Sequence, residues 1–197
     1  MGNSRLKNSA LNFASGFLGR VLTILLNFIV RTIFIHCLNE AYLSVNGLYS
    51  NILTVLSLAE LGFGSAMVFR MYAPVAAKDY QKTAALLHFY KKIYAIIGAV
   101  IFGLGLCVIP FMDYIIKDKP DVSGLTLYYI LFLINTTISY WFASYKASVL
   151  YADQKEYIKT NVQNATTILQ SVLQIVLLLI FRKYLLYLLV QLGCNII

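Results

Sequence analysis

The sequence predicts an all-α fold, a polytopic transmembrane bundle of about six spanning helices with its N-terminus in the cytoplasm. Three observations carry this. The 197 residues are 60% hydrophobic and 12% charged, where a soluble domain carries about 25% charged residues. The apolar residues gather into runs near the ~20-residue length that crosses a bilayer as a helix. The basic residues collect in the short connections between those runs and favour one side.

Spans are read at residues 10–36, 42–72, 88–112, 123–150 and 160–181, and a last one opens near 184. Pro74 is placed just beyond the second span, Pro110 near the end of the third and Pro120 just before the fourth, positions where a helix stops or starts. The segment from Lys78 to Tyr94 mixes Lys, Tyr and Leu and reads as an amphipathic stretch on the inner surface that then turns into the bilayer. The sixth run, from Tyr184 to Ile197, is shorter than a full crossing. Residues 1–197 are therefore read as one membrane domain, an N-terminal six-helix lobe truncated in its sixth span.

Lys and Arg set the orientation. With the N-terminus inside, the inner connections hold Arg5, Lys7, Arg70, Lys78, Lys82, Lys91, Lys92, Lys146, Lys155 and Lys159, against Lys117, Lys119, Arg182 and Lys183 outside. Arg20 and Arg31 remain, both within the first span. The net charge of +8 thus reads as membrane orientation, with membrane lipids as partners and no nucleic acid. Most of the 15 tyrosines are expected in the interfacial aromatic belt.

Several classes are excluded. Cys37, Cys107 and Cys194 are odd in number and far apart, so they form no disulfide framework. His36 and His88 are isolated and neither belongs to a metal motif. No metal, cofactor or cleavable signal is read. The short outer loops leave no room for clustered catalytic groups, so the chain is read as no enzyme.

Charged residues at membrane depth are functional candidates. Projected at about 100° per residue, Asn12, Gly16, Arg20, Thr23, Asn27 and Arg31 share one face of the first span. Asn46, Tyr49, Ser50, Ser57, Glu60 and Gly64 share a face of the second, and Tyr128, Asn135, Ser139 and Lys146 a face of the fourth. In the fifth, Gln163, Thr167, Gln170 and Gln174 form a narrow stripe. Such stripes line a polar cavity or act as interhelical hydrogen-bond glue. Arg20 and Glu60 fall at similar heights, about 15 Å above the inner end, and are expected to pair. Arg31 and Lys146 then remain as cations suited to an anionic group such as a phosphate. The candidate substrate-binding residues are Arg20, Arg31, Asn27, Glu60, Asn135, Lys146, Gln163, Gln170 and Gln174. Small residues at Gly62-Phe63-Gly64-Ser65-Ala66, at Gly103 and Gly105, and at Ser139, Ala143 and Ala147 favour close helix packing, and the first group also softens or bends its span.

The run Arg31-Thr32-Ile33-Phe34-Ile35, followed by Tyr42-Leu43-Ser44-Val45-Asn46-Gly47-Leu48-Tyr49, Asn51-Ile52-Leu53 and Leu56-Ser57-Leu58-Ala59-Glu60-Leu61-Gly62-Phe63-Gly64-Ser65-Ala66, resembles the polysaccharide-transport branch of the multidrug/oligosaccharidyl-lipid/polysaccharide exporter superfamily. Met71-Tyr72-Ala73-Pro74 and Ala152-Asp153-Gln154-Lys155 look like the same family. The resemblance implies a bacterial inner-membrane flippase for lipid-linked oligosaccharide of the polyprenyl-diphosphate type. It implies two lobes, alternating access between them, and basic residues that attract the diphosphate, a role that Arg20 and Arg31 match. This chain corresponds to the first lobe only, so a second lobe or a homo-oligomer is the expected partner. The alternatives are a drug/cation antiporter of the same superfamily, a membrane enzyme of glycan assembly, and an inactive truncated remnant.

Overall fold

The computed structural model describes residues 2–60, 62–115, 124–142 and 144–196. Among them the fold is all-helical. In chain order the helices are α1 (Gly2–Cys37), α2 (Glu40–Ser57), α3 (Phe63–Ala76), α4 (Tyr80–Val108), α5 (Met112–Ile115), α6 (Leu125–Phe142), α7 (Ser144–Ala152), α8 (Glu156–Phe181) and α9 (Tyr184–Ile196).

Among the described residues, four stretches are long and apolar enough to cross a membrane: Asn8–Cys37, Tyr80–Phe111, Leu125–Phe142 and Glu156–Phe181. They make the chain a membrane protein. Large side chains such as Phe13, Phe28 and Phe69 stand 72–75% exposed, a surface that suits lipid and not water.

The expected second span, 42–72, is not one helix. α2 gives way to a 3-10 turn at Leu58–Glu60, and Gly62 then adopts φ +92°, a left-handed conformation, before α3 begins. A left-handed residue cannot continue a right-handed helix, and glycine adopts it without a Cβ penalty. The bend anticipated at Gly62-Phe63-Gly64 is therefore a full break. Pro74 lies inside α3 rather than beyond it.

The third crossing starts earlier than read. α4 begins at Tyr80, where the Asp79 carboxylate accepts from the Lys82 N–H at 2.9 Å and caps it. The helix then runs unbroken to Val108, so no turn separates a surface segment from the crossing. Pro110 sits in the 3-10 turn Ile109–Phe111 that ends it, having no N–H for the ladder. The connection holding Lys117, Lys119 and Pro120 lies outside the described residues, as does Ala143 between α6 and α7.

α1 packs along α8, α8 on α9, α9 on α6 and α6 on α4, while α3 packs on α7 and α4. Two cores result. One joins Phe34, Val45, Tyr49, Tyr129, Leu133, Leu178 and Leu188. The other joins Met67, Met71, Tyr90, Tyr94, Ile101 and Tyr140. Six of the 15 tyrosines are buried, so many are core residues and not belt residues. Their hydroxyls find carbonyl acceptors on other helices: Tyr49 on Leu125 at 3.0 Å, Tyr129 on Gly105 at 3.0 Å, Tyr90 on Met67 at 3.2 Å.

Glycines set the closeness of α4 and α6. A Cβ at Gly105 would overlap Leu133, and one at Gly98 would overlap Trp141, whereas one at Gly103 would meet nothing within 4 Å. Gly98 and not Gly103 therefore shares the packing role with Gly105. Gly105→Ala is expected to destabilise the bundle by about 1–3 kcal/mol through overpacking. Gly103→Ala should be neutral or gain up to ~1 kcal/mol in helix stability. Equilibrium unfolding in mixed detergent micelles measures both.

Candidate functional site

The first span carries the most exposed polar face. Its buried side is formed by Gly19, Val30 and Phe34. Beside that seam, Arg20, Asn27 and Arg31 stand exposed. Their spacing of seven and four residues keeps them on one face. The seam itself is a close approach: a Cβ at Gly19 would collide with the Asn164 amide, and Asn164 Nδ2 donates to the Ser15 carbonyl at 3.4 Å. Near the N-terminal ends of both helices, Asn12 Nδ2 donates to the Gln154 carbonyl at 3.1 Å and Asn12 Oδ1 accepts from the Tyr157 N–H at 2.7 Å.

On α2 the expected stripe divides. Tyr49 is fully buried, and Asn46 accepts from the Tyr184 hydroxyl at 3.3 Å. The exposed polar residues are Glu40 and Ser44 in its first half and Ser50, Asn51 and Thr54 further on. Asn51 and Thr54 escaped the sequence reading, although their 3–4 residue spacing from Ser50 and Gly47 carried the signal.

Glu60 does not pair with Arg20. Among the described residues no basic group lies within ion-pair distance of Glu60, and the one ion pair is Lys155 Nζ to Asp153 at 2.7 Å. Equal height did not imply adjacency, because α1 leans on α8 while the turn holding Glu60 packs on α4. The Glu60 carboxylate instead faces the hydroxyls of Tyr94 and Tyr140, the latter also beside Ser57. It therefore sits at the break between α2 and α3 among neutral hydroxyl groups. Outside the spans, Asp153 accepts from Lys155 and holds its ammonium above the ordinary lysine value. Both side chains are about half exposed, 44% and 45%, so the pair contributes little to stability.

The remaining candidates separate. Lys146 is exposed on α7, its Nζ 5.9 Å from the Tyr145 ring centroid. Asn135 accepts from Asn195 Nδ2 through its carbonyl at 2.7 Å and its side chain at 3.2 Å, which ties α6 to α9. The cleft there, lined by Leu131, Phe132, Asn135, Leu188 and Gln191, is too tight to admit a water molecule. On α8, Gln163 is exposed, Gln170 half-buried and Gln174 buried. Gln174 Nε2 donates to the Tyr187 carbonyl on α9 at 3.4 Å. Asn135 and Gln174 thus bond helix to helix, while Arg20, Asn27, Arg31, Lys146 and Gln163 face outward.

No family model, curated protein or solved structure matches the chain.

Because Arg20 lacks a buried partner, Arg20→Ala and Arg31→Ala are both expected to leave unfolding stability within ~0.5 kcal/mol of the parent. Gln174→Ala should cost about 1–3 kcal/mol, since it removes the bond to α9 and empties space at a buried position. Unfolding in mixed micelles separates the two classes.

Proposed function

We propose that the chain is a lobe of a bacterial inner-membrane transporter that moves lipid-linked oligosaccharide of the polyprenyl-diphosphate type for cell-surface polysaccharide synthesis. The observation that carries this reading is the outward cationic face of α1, with Arg20, Asn27 and Arg31 exposed within a spanning helix. A guanidinium against hydrocarbon costs about 2.5–3.5 kcal/mol or more. Its favourable surroundings are water, an anion, or a polar partner surface. A guanidinium fork also matches phosphate oxygens bidentately. A second lobe or a second copy opposite α1 would enclose this face as a water-filled path, and the diphosphate headgroup would travel along it while its chain stays in lipid. The resemblance of the first two spans to polysaccharide exporters supports the same substrate class.

One observation favours a second reading. Glu60 lies at a broken span, faces two phenols, and has no basic partner among the described residues. Broken helices with an intramembrane carboxylate suit cation-coupled transport, as in a drug/cation antiporter.

Expression in a bacterium lacking its polysaccharide flippase is expected to restore surface glycan, read by lectin binding. Arg31→Ala should then cut the signal at least about tenfold at equal membrane abundance. Efflux of a fluorescent organic cation without restored glycan would instead support the antiporter.

A further inference from the structure

The exposed face of α1 is only as well placed as α1 itself. α1 packs along α8 and touches α2. Its seam with α8 has few polar fasteners. Near the middle are Gly19 and the Asn164 to Ser15 bond at 3.4 Å, and at the inner end is Asn12.

The bonds of Asn12 are of an unusual kind. α8 begins after Lys155, which holds the N-cap position but makes no side-chain cap bond. The Lys155 ammonium pairs with Asp153 instead. A helix start leaves its first N–H groups without intrahelical acceptors, and the cap side chain ordinarily accepts from the second or third of them. Tyr157 is the second residue of α8, and its N–H donates to Asn12 Oδ1 at 2.7 Å from 145 positions away. The same amide donates through Nδ2 to the carbonyl of Gln154 at 3.1 Å. Gln154 is in the left-handed conformation, φ +57°, in the tight turn between α7 and α8. One half-buried side chain on α1 therefore caps α8 and holds the turn before it. An amide suits both bonds, because it donates and accepts from one planar group.

We infer that Asn12 is the positioning residue of the cationic face: it caps α8 in trans and so fixes the inner end of α1, which sets where Arg20 stands relative to Arg31. This rests on the proposal that those arginines bind a diphosphate. Arg20 lies eight residues, about 12 Å, along the helix from the tie. Losing the tie leaves both arginines in the chain but lets the inner half of α1 swing away from α8.

The test uses the full chain in phosphatidylcholine liposomes with Cys37, Cys107 and Cys194 replaced by alanine. Spin labels on Phe13→Cys and Val162→Cys report the inner end of the seam, and labels on Phe28→Cys and Val176→Cys report the outer half. Binding of geranylgeranyl diphosphate is measured in parallel without labels. Asn12→Leu is expected to broaden the inner distance distribution, leave the outer one unchanged and raise Kd about tenfold. Asn12→Asp keeps the acceptor for Tyr157 and should recover most of both. It also keeps the test decisive if Asn12→Leu fails to fold, because its loss of the Gln154 bond must still broaden the inner pair measurably. An unchanged inner distribution in both variants overturns the inference. So does a broadened one with unchanged Kd while Arg31→Ala weakens binding. If the distance broadens but none of Asn12→Leu, Arg20→Ala and Arg31→Ala moves Kd, the diphosphate reading is the part at fault and the positioning role falls with it.

Discussion

Hydrocarbon offers a polar group nothing to bond to, so each one in a spanning segment is either bonded within the bundle or turned toward water or a partner. That constraint sorts this chain. Tyr49, Tyr90 and Tyr129 are buried with their hydroxyls on carbonyls of neighbouring helices. Asn135 and Gln174 are held by bonds to or from α9. Among the described residues no buried side-chain nitrogen or oxygen lacks a partner. Against that background Arg20, Asn27 and Arg31 stand out, because they lie in a spanning helix and face away from the bundle.

The same constraint explains the seam that carries this face. α1 and α8 approach closely because Gly19 has no side chain and Asn164 fills the space. Their N-terminal ends are joined by an amide that satisfies an otherwise orphaned helix-start N–H. The cationic face is therefore mounted on a two-helix unit, and its outward aim follows from which side of α1 the seam occupies. The break at Gly62 lies on other elements, packed with α4 and α6 residues around Glu60. The cationic face and the lone carboxylate are thus separate features of one bundle, where their heights alone had implied an ion pair.

The all-helical class, four of the six expected apolar spans and the weakness of the chain at Gly62 were legible in the sequence, because length, hydropathy and glycine placement act locally. The projection of α1 was also sound: Arg20, Asn27 and Arg31 do share a face. What the sequence did not carry was which neighbour each face meets. Arg20 and Glu60 are level, yet their elements pack on different helices. Tyr49, Asn135 and Gln174 look like the other stripe residues in projection, and only tertiary packing turns them into core or into glue. Asn12 was visible as a member of the first stripe, but its partners are more than 140 residues away. A helix start with Lys155 in the cap position was the one local hint that a cap had to come from elsewhere.

The central claim is that the α1 face meets water inside the membrane. In a chain lacking its three native cysteines, Asn27→Cys and Leu25→Cys can be compared for reaction with a membrane-impermeant thiol reagent in intact cells. Both residues are exposed on the isolated bundle, Leu25 at 57%, but at about 100° per residue only Asn27 lies on the arginine face. Reaction at position 27 many times faster than at position 25 is what the account predicts. Equally slow reaction at both would place the face in lipid or in dry protein contact and contradict it.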